Sequence, residues 1–256
     1  MGRLVPAVTR AMDILELFLG PDGELSAADI VRRLGLPRTT VHELLATLVA
    51  RGYLAQEPSN LYRLGVRTYQ LGSHYAERLD LASEGQQVAR EVARACDETV
   101  HVAILEGTDV IYVAKVDSTH AVRMVSAAGR RLPAHCTAVG KMLLASLPEA
   151  QVRARFPEGA SLPALTPQSI TEPTALYDEL AAIRERGTAH EDRESNPDVS
   201  CVAAPVRDGT ATVVAALSIS APTIRWDDAR RAELARLAVA GADDLSARLG
   251  HRQATP

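Results

Sequence analysis

Apolar and polar residues repeat with the period of an α-helix in two neighbouring segments between Leu25 and Leu48. Ser26 and Asp29 have the spacing of a capping box, which predicts the start of the first helix. Gly35 is suited to end that helix, and Pro37 is suited to the entry of the next one. The connection is too short for anything but a helix-turn-helix. The second helix has one apolar stripe at i, i+3, i+4, i+7 and i+8 spacing, formed by Val41, Leu44, Leu45, Leu48 and Val49.

The opposite side of the second helix carries small and polar residues. Thr39 and Glu43 lie on this side, and Thr40 and His42 flank it. A helix that reads bases in the major groove needs such a surface near its N-terminal end. An ordinary amphipathic helical hairpin would show the same pattern, so the residues that follow decide between the two interpretations.

Two short strand-like runs follow, Tyr53–Gln56 and Leu61–Leu64, and the turn cluster 57–60 separates them. A helix-turn-helix followed by a small hairpin is a winged helix. The wing would place Arg63 near a phosphate backbone.

Length and charge modify this interpretation. The 256 residues are enough for two domains, and 46% of them are apolar. Residues 1–72 contain eight Arg and seven Asp or Glu, a net charge of +1, while the whole chain carries −4. Affinity for DNA would therefore depend on a few placed arginines rather than on bulk charge. Arg38 is one candidate, and Arg10, in a predicted first helix from Val8 to Leu19, is either a second phosphate contact or a solvated charge.

The three cysteines are far apart, and none has CxxC spacing. This predicts neither a disulfide framework nor a structural zinc site, and it fits a reducing cytoplasm. No apolar run approaches 18 residues and the N-terminus lacks a signal-peptide pattern, so we expect a cytoplasmic protein with no membrane partner. We expect no cofactor and no metal.

The remainder of the chain predicts an α+β fold with a twisted antiparallel sheet flanked by helices. A long helical tract from Val66 to about Ala93 comes first, and Thr137–Leu147 is a helix that follows a loop at Gly129–Pro133. The other predicted elements are strands at 100–105, 110–116, 122–126, 201–207 and 211–220 and helices at 175–186 and 227–249.

Six segments, taken in order, resemble the IclR family of bacterial transcription regulators. They are VTRAMDILELF, LSAADIVRRLGLPRTTVHELLATLVARGYL, YRLG, ETVHVAIL, GRRLPAHCTAVGKMLLA and CVAAPVRDG with VVAALSIS. The resemblance implies a winged helix-turn-helix in residues 1–72, a linker helix in 73–92, a GAF-like effector domain in 93–250 and a tail in 251–256. It also implies a homodimer or dimer of dimers that binds double-stranded operator DNA as a repressor or activator. A small organic carboxylate or aromatic acid would modulate that binding.

The effector pocket is predicted partly from physics and partly from the resemblance. A loop enters a helix at His135–Lys141, and the free backbone N–H groups of such a helix start suit a carboxylate. Ser218 and Ser220 are two apart, so they share one face of a strand. By resemblance the pocket includes Met124, Leu132, His135, Ala138, Val139, Gly140, Glu191, Asp192, Val199, Cys201, Ser218 and Ser220, with one member of the acidic pair facing it. We expect Lys141 to be solvated or to cap its helix, and His101 and His135 to be hydrogen-bonded structural residues more often than ligands.

Several residues depart from the family pattern. Glu43 stands where the family usually has Arg, so either the operator presents a cytosine to it or base reading shifts to Thr39, Thr40 and His42. Thr188, Asp198 and Ser200 also depart, so the resemblance does not identify the effector.

Two other classes of function remain open from the residues alone. Cys136 with His135 or His101 has the chemistry of a nucleophile and its base, and Cys136, His101, His135 and Asp192 together have the chemistry of a metal sensor.

Overall fold

The computed structural model describes residues 4–20, 22–77, 80–121 and 129–251, and the chain divides into two compact units, Met1–Leu79 and Asp80–Pro256. The first unit is a winged helix-turn-helix. Its three strands form a small antiparallel sheet in the order β1-β3-β2. Its elements are α1 (Pro6–Glu16), β1 (Leu25–Ser26), α2 (Ala27–Leu34), α3 (Arg38–Ala50), β2 (Leu54–Gln56), β3 (Leu61–Leu64) and α4 (Val66–Glu77).

Local signals in the sequence set the ends of the two central helices. The Ser26 hydroxyl accepts the Asp29 N–H, and the Asp29 carboxylate accepts the Ser26 N–H, so the predicted capping box is confirmed. Gly35 ends α2 at φ +64°, a backbone conformation that glycine adopts without strain. Ile14 of α1, Ile30 of α2 and Val41 and Leu45 of α3 are fully buried in one cluster. The three helices therefore share one core, and the apolar stripe of α3 faces it.

The second unit is a six-stranded antiparallel sheet with helices on both faces. The strand order is β6-β5-β4-β9-β8-β7. The strands are β4 (Thr99–Glu106), β5 (Asp109–Val116), β6 (Arg131–Pro133), β7 (Ala189–Asp192), β8 (Val199–Arg207) and β9 (Val213–Pro222). The helices are α5 (Asp80–Cys96), α6 (Ala138–Ala145), α7 (Glu149–Arg155), α8 (Pro173–Arg186) and α9 (Asp228–Arg248).

Alternation along the central strands divides the core of this unit into two layers. Val102, Val202 and Leu217 face α5 and α9, whereas Ala103 and Ala216 face α6 and α8. Side chains two apart on one strand therefore share a layer, and this rule determines which polar residues meet on the α6 side.

The predicted α+β class and antiparallel sheet are confirmed, with differences in detail. Two helices, α4 and α5, occupy the predicted tract from Val66. Residues 129–133, predicted as a loop, include strand β6, and strands β1 and β7 and helix α7 were not predicted. The predicted strand at 122–126 lies outside the described residues. Among the described helices, none combines the length and apolarity that crossing a membrane requires.

Candidate functional sites

The outward side of α3 is the first candidate site. Thr39, His42 and Glu43 are exposed, whereas Val41 and Leu45 on the opposite side are fully buried. Thr40 is half-buried, so it offers less surface than its neighbours. The helix therefore presents the polar side that the sequence predicts, next to the N-terminal end where a reading helix meets base edges.

Arg38 is exposed at the first residue of α3, directly after Pro37 at the N-cap. Pro37 provides no side-chain cap, so the first N–H groups of the helix have no partner from a capping side chain. A cation beside free N–H groups is an arrangement that binds phosphate. Arg10 is also exposed, on α1.

Glu43 forms no ion pair within the described part of the chain, and the Thr47 hydroxyl donates to the Glu43 backbone carbonyl at 2.8 Å. The Glu43 carboxylate is therefore available on the exposed surface of α3. Its chemistry suits a hydrogen-bond donor such as the N4 amino group of cytosine, and it repels phosphate.

Arg63 lies on the wing, as the sequence predicts, but it already has a partner there. The Arg63 Nε lies 2.5 Å from the Glu57 Oε1, so the two charges form an ion pair across the hairpin. Asn60 turns the hairpin at φ +61°, a conformation that Asn tolerates better than most residues. Contact between Arg63 and a phosphate would require competition with Glu57.

A groove of about 830 Å³ in the same unit was not predicted from the sequence. It lies where the end of α3 meets α4, and its charged and aromatic lining includes Arg51, Tyr53, Arg67 and Tyr69. Two arginines thus add positive charge near the end of α3, in a segment where the sequence shows no periodic basic pattern.

The second candidate site is a row of polar side chains across four strands of the large sheet. Strand pairing sets Thr99 of β4 opposite Ser220 of β9, Ser220 opposite Cys201 of β8, and Cys201 opposite Glu191 of β7. All four residues are buried, and they share the face that α6 covers. We call this set the polar row. Buried polar groups need hydrogen-bond partners, and a bound polar ligand could share this row with the partners that the chain itself supplies.

A second polar position lies beside the row. His101 is paired with Ser218, and the His101 ring lies 4.7 Å from the Tyr112 ring between centroids. Burial lowers the pKa of His101 to about 3, so its imidazole is neutral at physiological pH. Thr99, His101 and Tyr112 were missed as site residues. The sequence contained a signal for two of them. Thr99, His101 and Ala103 are two apart on β4, so they share one face of the strand in the same way as Ser218 and Ser220 on β9.

Hydrogen bonds connect one end of the polar row. The Cys201 thiol donates to the Ser220 hydroxyl, with 3.1 Å between sulfur and oxygen, and strand pairing sets Cys201 directly opposite Glu191. Burial raises the pKa of the Cys201 thiol well above its usual value, and burial also raises the pKa of the Cys136 thiol. Neither cysteine is therefore a thiolate of the kind that attacks substrates.

Helix α6 brings its N-terminal end to this layer. The Thr137 hydroxyl caps it by accepting the Gly140 N–H at 3.1 Å, and all eight residues of α6 are buried. The N–H groups of Ala138 and Val139 belong to the first turn, where the helix itself supplies no acceptor. The helix begins at Ala138 with Thr137 as its N-cap, so the predicted start at Thr137 is one residue early.

The other predicted pocket residues lie in different surroundings. Val199 is buried on β8 two residues before Cys201, and Leu132 is half-buried on β6 and packs against the same core. His135 is buried, with Nε2 2.9 Å from the Pro163 carbonyl oxygen. Asp192 points to the opposite face from Glu191 and hydrogen-bonds to Ser200, so it does not join the polar row. Met124 lies outside the described residues.

The expectation that Lys141 is solvated or caps its helix is wrong. Lys141 is 2% exposed, and its Nζ lies 2.6 Å from the Glu194 Oε1. A single lysine after an apolar helix start gives no local sign of a carboxylate that lies 53 positions later in the chain. Within the described part of the chain, no three His, Cys, Asp or Glu residues are grouped as ligands for a metal ion.

Comparison with known proteins gives consistent matches over nearly the whole chain. Residues 73–247 match the family model of the bacterial transcriptional regulator IclR C-terminal domain, and residues 7–58 match the IclR helix-turn-helix domain. The HTH-type transcriptional regulator XynR of Escherichia coli is 38% identical over 230 residues, which is 90% of this chain and 91% of XynR. KdgR of Escherichia coli is 33% identical over 248 residues, which is 96% of this chain and 94% of KdgR.

Solved structures show the same similarity. An IclR homolog from Microbacterium hydrocarbonoxydans, complexed with 4-hydroxybenzoate, matches with a TM-score of 0.81 at 27% identity, covering 94% of this chain and 99% of that chain. An IclR transcriptional regulator from Alicyclobacillus acidocaldarius matches with a TM-score of 0.83 at 27% identity, covering 96% and 99%.

Proposed function

Since this chain belongs to the IclR family of transcriptional regulators, we propose that α3 reads its operator and that the polar row binds the effector. The protein is a regulator with a helix-turn-helix DNA-binding domain and a C-terminal effector-binding domain. The assignment of α3 rests on the difference in burial between its two sides. The apolar stripe is buried in the core, whereas Thr39, His42 and Glu43 are exposed. The test is an electrophoretic shift of the protein's own promoter against random duplex of equal length. Equal affinity for both would refute sequence-specific reading.

Three kinds of contact make up the proposed DNA interface. Arg38 and the N-terminal N–H groups of α3 bind phosphate, and Arg10 supplies a further charge from α1. Thr39, His42 and Glu43 face the bases, with Glu43 accepting from a cytosine N4 amino group. Arg63 contacts the backbone after it exchanges Glu57 for a phosphate, and Thr40 contributes least because it is half-buried.

Arg38→Ala should weaken operator binding about equally for matched and mismatched sequences. A phosphate contact carries no sequence information, and its loss should reduce the slope of log K against log salt by about 1. Binding titrations at several salt concentrations measure both quantities. Arg236→Ala, which removes an exposed arginine from α9, is the matched control and should leave the slope unchanged. Discrimination lost at a single base pair would instead show that Arg38 reads a base.

The proposed effector is a small organic carboxylate or aromatic acid. Its carboxylate would accept from the N–H groups of Ala138 and Val139 at the start of α6. Its remaining polar atoms would meet Cys201, Ser218 and Ser220, while Leu132 and Val199 supply apolar contacts. The buried, neutral His101 beside Ser218 supports this arrangement, because it adds one donor and one acceptor without adding charge.

Ser220→Ala should leave operator affinity intact and reduce the response to effector. The Ser220 hydroxyl is far along the chain from α3, so its loss should not change DNA binding. It lies in the centre of the polar row, and its loss removes a hydrogen bond to the effector worth about 1 kcal/mol, which weakens effector binding about five- to tenfold. Effector titrations of the preformed protein–operator complex measure this. Ser200→Ala is the control, because Ser200 is equally buried on the neighbouring strand β8 but faces the opposite layer. Loss of DNA binding in folded Ser220→Ala protein would show that the pocket is wrongly assigned.

We further propose that the regulator acts in the cytoplasm as a homodimer or dimer of dimers. Apolar side chains left exposed on α1 and α4 support association, among them Val8 and Met12 on α1 and Tyr69 and Leu71 on α4. A dimer places two α3 helices in successive major grooves, and effector binding would change their spacing. Light scattering of the purified protein tests this, and a monomer at concentrations that bind operator would refute it.

A further inference from the structure

The loop that follows β7 holds the carboxylate of Glu191 from one side. The Glu191 Oε1 accepts three hydrogen bonds, from the backbone N–H of Glu194 at 3.0 Å, the backbone N–H of Ser195 at 2.9 Å and the Ser195 hydroxyl at 3.0 Å. We call residues 193–196 the β7–β8 loop. Because all three donors belong to this loop, the position of the loop sets the direction in which the Glu191 carboxylate faces the polar row.

The β7–β8 loop is itself held from two directions. Lys141 of α6 binds its Glu194 side chain at 2.6 Å, and both residues are buried. The Ser169 hydroxyl donates to the Glu194 carbonyl at 2.7 Å, and the Thr166 hydroxyl donates to the Arg193 carbonyl at 2.6 Å. Lys141 is thus the one member of this network that lies on α6, the helix whose first turn faces the proposed effector.

The Lys141–Glu194 pair needs an explanation other than stability. Burial removes both charges from water, and replacing such a pair with apolar residues of similar volume is often neutral or stabilising. The pair is also incompletely satisfied, since the Glu194 Oε2 is buried and has no hydrogen-bond partner among the residues that the structure describes. Glu179 approaches Lys141 only to 3.7 Å and is partly exposed, so Glu194 is its principal counter-charge.

We propose that the Lys141–Glu194 ion pair is a positioning device for Glu191, which fixes the β7–β8 loop against α6 so that Glu191 accepts a hydrogen bond from a hydroxyl group of the effector. The inference rests on the proposed function, because it gives Glu191 a role only if the polar row binds effector. It adds two residues, Lys141 and Glu194, that touch no effector atom and act through Glu191.

The chemistry of the pair also restricts the effector. Glu194 neutralises Lys141, so Lys141 offers no charge to an effector carboxylate. Glu191 provides only acceptor oxygens when ionised, and it would repel a second carboxylate placed against it. The effector that fits carries one carboxylate, at the start of α6, and a hydroxyl group at the Glu191 end of the polar row.

Hydrogen exchange of the ligand-free protein tests the positioning itself. In the double variant Lys141→Met with Glu194→Leu, apolar residues replace the pair, and the fold should survive. We expect the Glu194-position and Ser195 amides to exchange at least about tenfold faster than in wild type, since they lose a fixed acceptor. Amides of α6 and α8 should be unchanged. Equal protection of the two loop amides in variant and wild type would overturn the proposal.

Calorimetry with paired acids tests the consequence for binding. The probes are benzoate and 4-hydroxybenzoate, propanoate and 2-hydroxypropanoate, and butanoate and 3-hydroxybutanoate. We expect wild type to favour the hydroxylated member of at least one pair by about tenfold, and the double variant to reduce that ratio below about threefold. Glu179→Gln is the control and should keep the ratio, whereas Lys141→Arg should largely restore what Lys141→Met loses.

The outcomes separate the inference from the proposed function. If wild type and the double variant discriminate equally well, the pair is only structural and the inference is wrong. If no acid in the panel binds wild type, the proposed effector pocket fails and the inference fails with it. Operator binding without any acid reports on the DNA-binding proposal alone, so its failure is recognised independently.

Discussion

Gly140→Ala should destabilise the effector-binding unit by roughly 3 kcal/mol or more, because the added methyl group would collide with backbone rather than with a movable side chain. A Cβ atom at position 140 would lie 2.2 Å from the Ala134 carbonyl oxygen and 2.4 Å from the Ala134 Cα. Ala134 begins the 3-10 turn that leads into α6, and the Gly140 N–H is the one that the Thr137 hydroxyl caps. The turn and the helix can separate only if this cap or the packing of α6 is lost.

Urea denaturation and thermal melting of the full chain measure the effect. At about 2–4 °C per kcal/mol for a unit of this size, the melting temperature should fall by roughly 6–12 °C. Gly85→Ala is the matched control, because the new Cβ on α5 would meet Val102 of β4 and Ala114 of β5 at 3.5–3.6 Å, which is ordinary van der Waals contact. That variant should be neutral or more stable by about 0.5–1 kcal/mol. An unchanged urea midpoint for Gly140→Ala would show that α6 and the turn are not packed this closely.

The elements that the sequence predicts well are those whose signals are local. Ser26 and Asp29 lie three residues apart and bind each other, so their pattern alone marks the start of α2. Gly187 likewise ends α8 at φ +76°. Strand β7 was missed because Ala189–Asp192 is four residues long and mostly polar, and only its pairing with β8 makes it a strand. Pairing partners lie far along the chain, where residue patterns carry no information about them.

The residues of the effector site also divide into those that local spacing predicts and those that only strand pairing or the whole fold identifies. Spacing alone places Ser218 and Ser220 on one strand face, and the same rule applied to β4 would have added Thr99 and His101. Distinguishing Glu191 from Asp192 required the register that sets Glu191 opposite Cys201. The pairing of Lys141 with Glu194 required the fold of the whole unit, which explains why the expectation for Lys141 was wrong.

A buried ion pair joins the beginning of β4 to the turn before α9. Glu98 is 1% exposed, and Arg225 donates to both of its oxygens, from Nε at 2.7 Å and from a terminal nitrogen at 2.7 Å. Arg230 approaches the same carboxylate to 4.0 Å. The two segments are 127 residues apart in the chain, so this bidentate contact fixes the first central strand against the start of the last helix.

Glu98→Gln should destabilise the unit by about 3 kcal/mol, since it keeps the shape of the side chain but removes the buried negative charge that Arg225 contacts at both oxygens and Arg230 approaches. The exposed fraction of the Arg225 side chain is 25%, and partial hydration of that group places the expected loss at the low end of the range for buried pairs. Urea denaturation of the full chain is the measurement. Glu158→Gln removes a carboxylate from an exposed pair with Arg153 and should change stability by less than about 0.5 kcal/mol. If the two variants unfold at the same urea concentration, the Glu98–Arg225 pair contributes no more than a surface contact, and β4 and α9 are held together by their apolar packing alone.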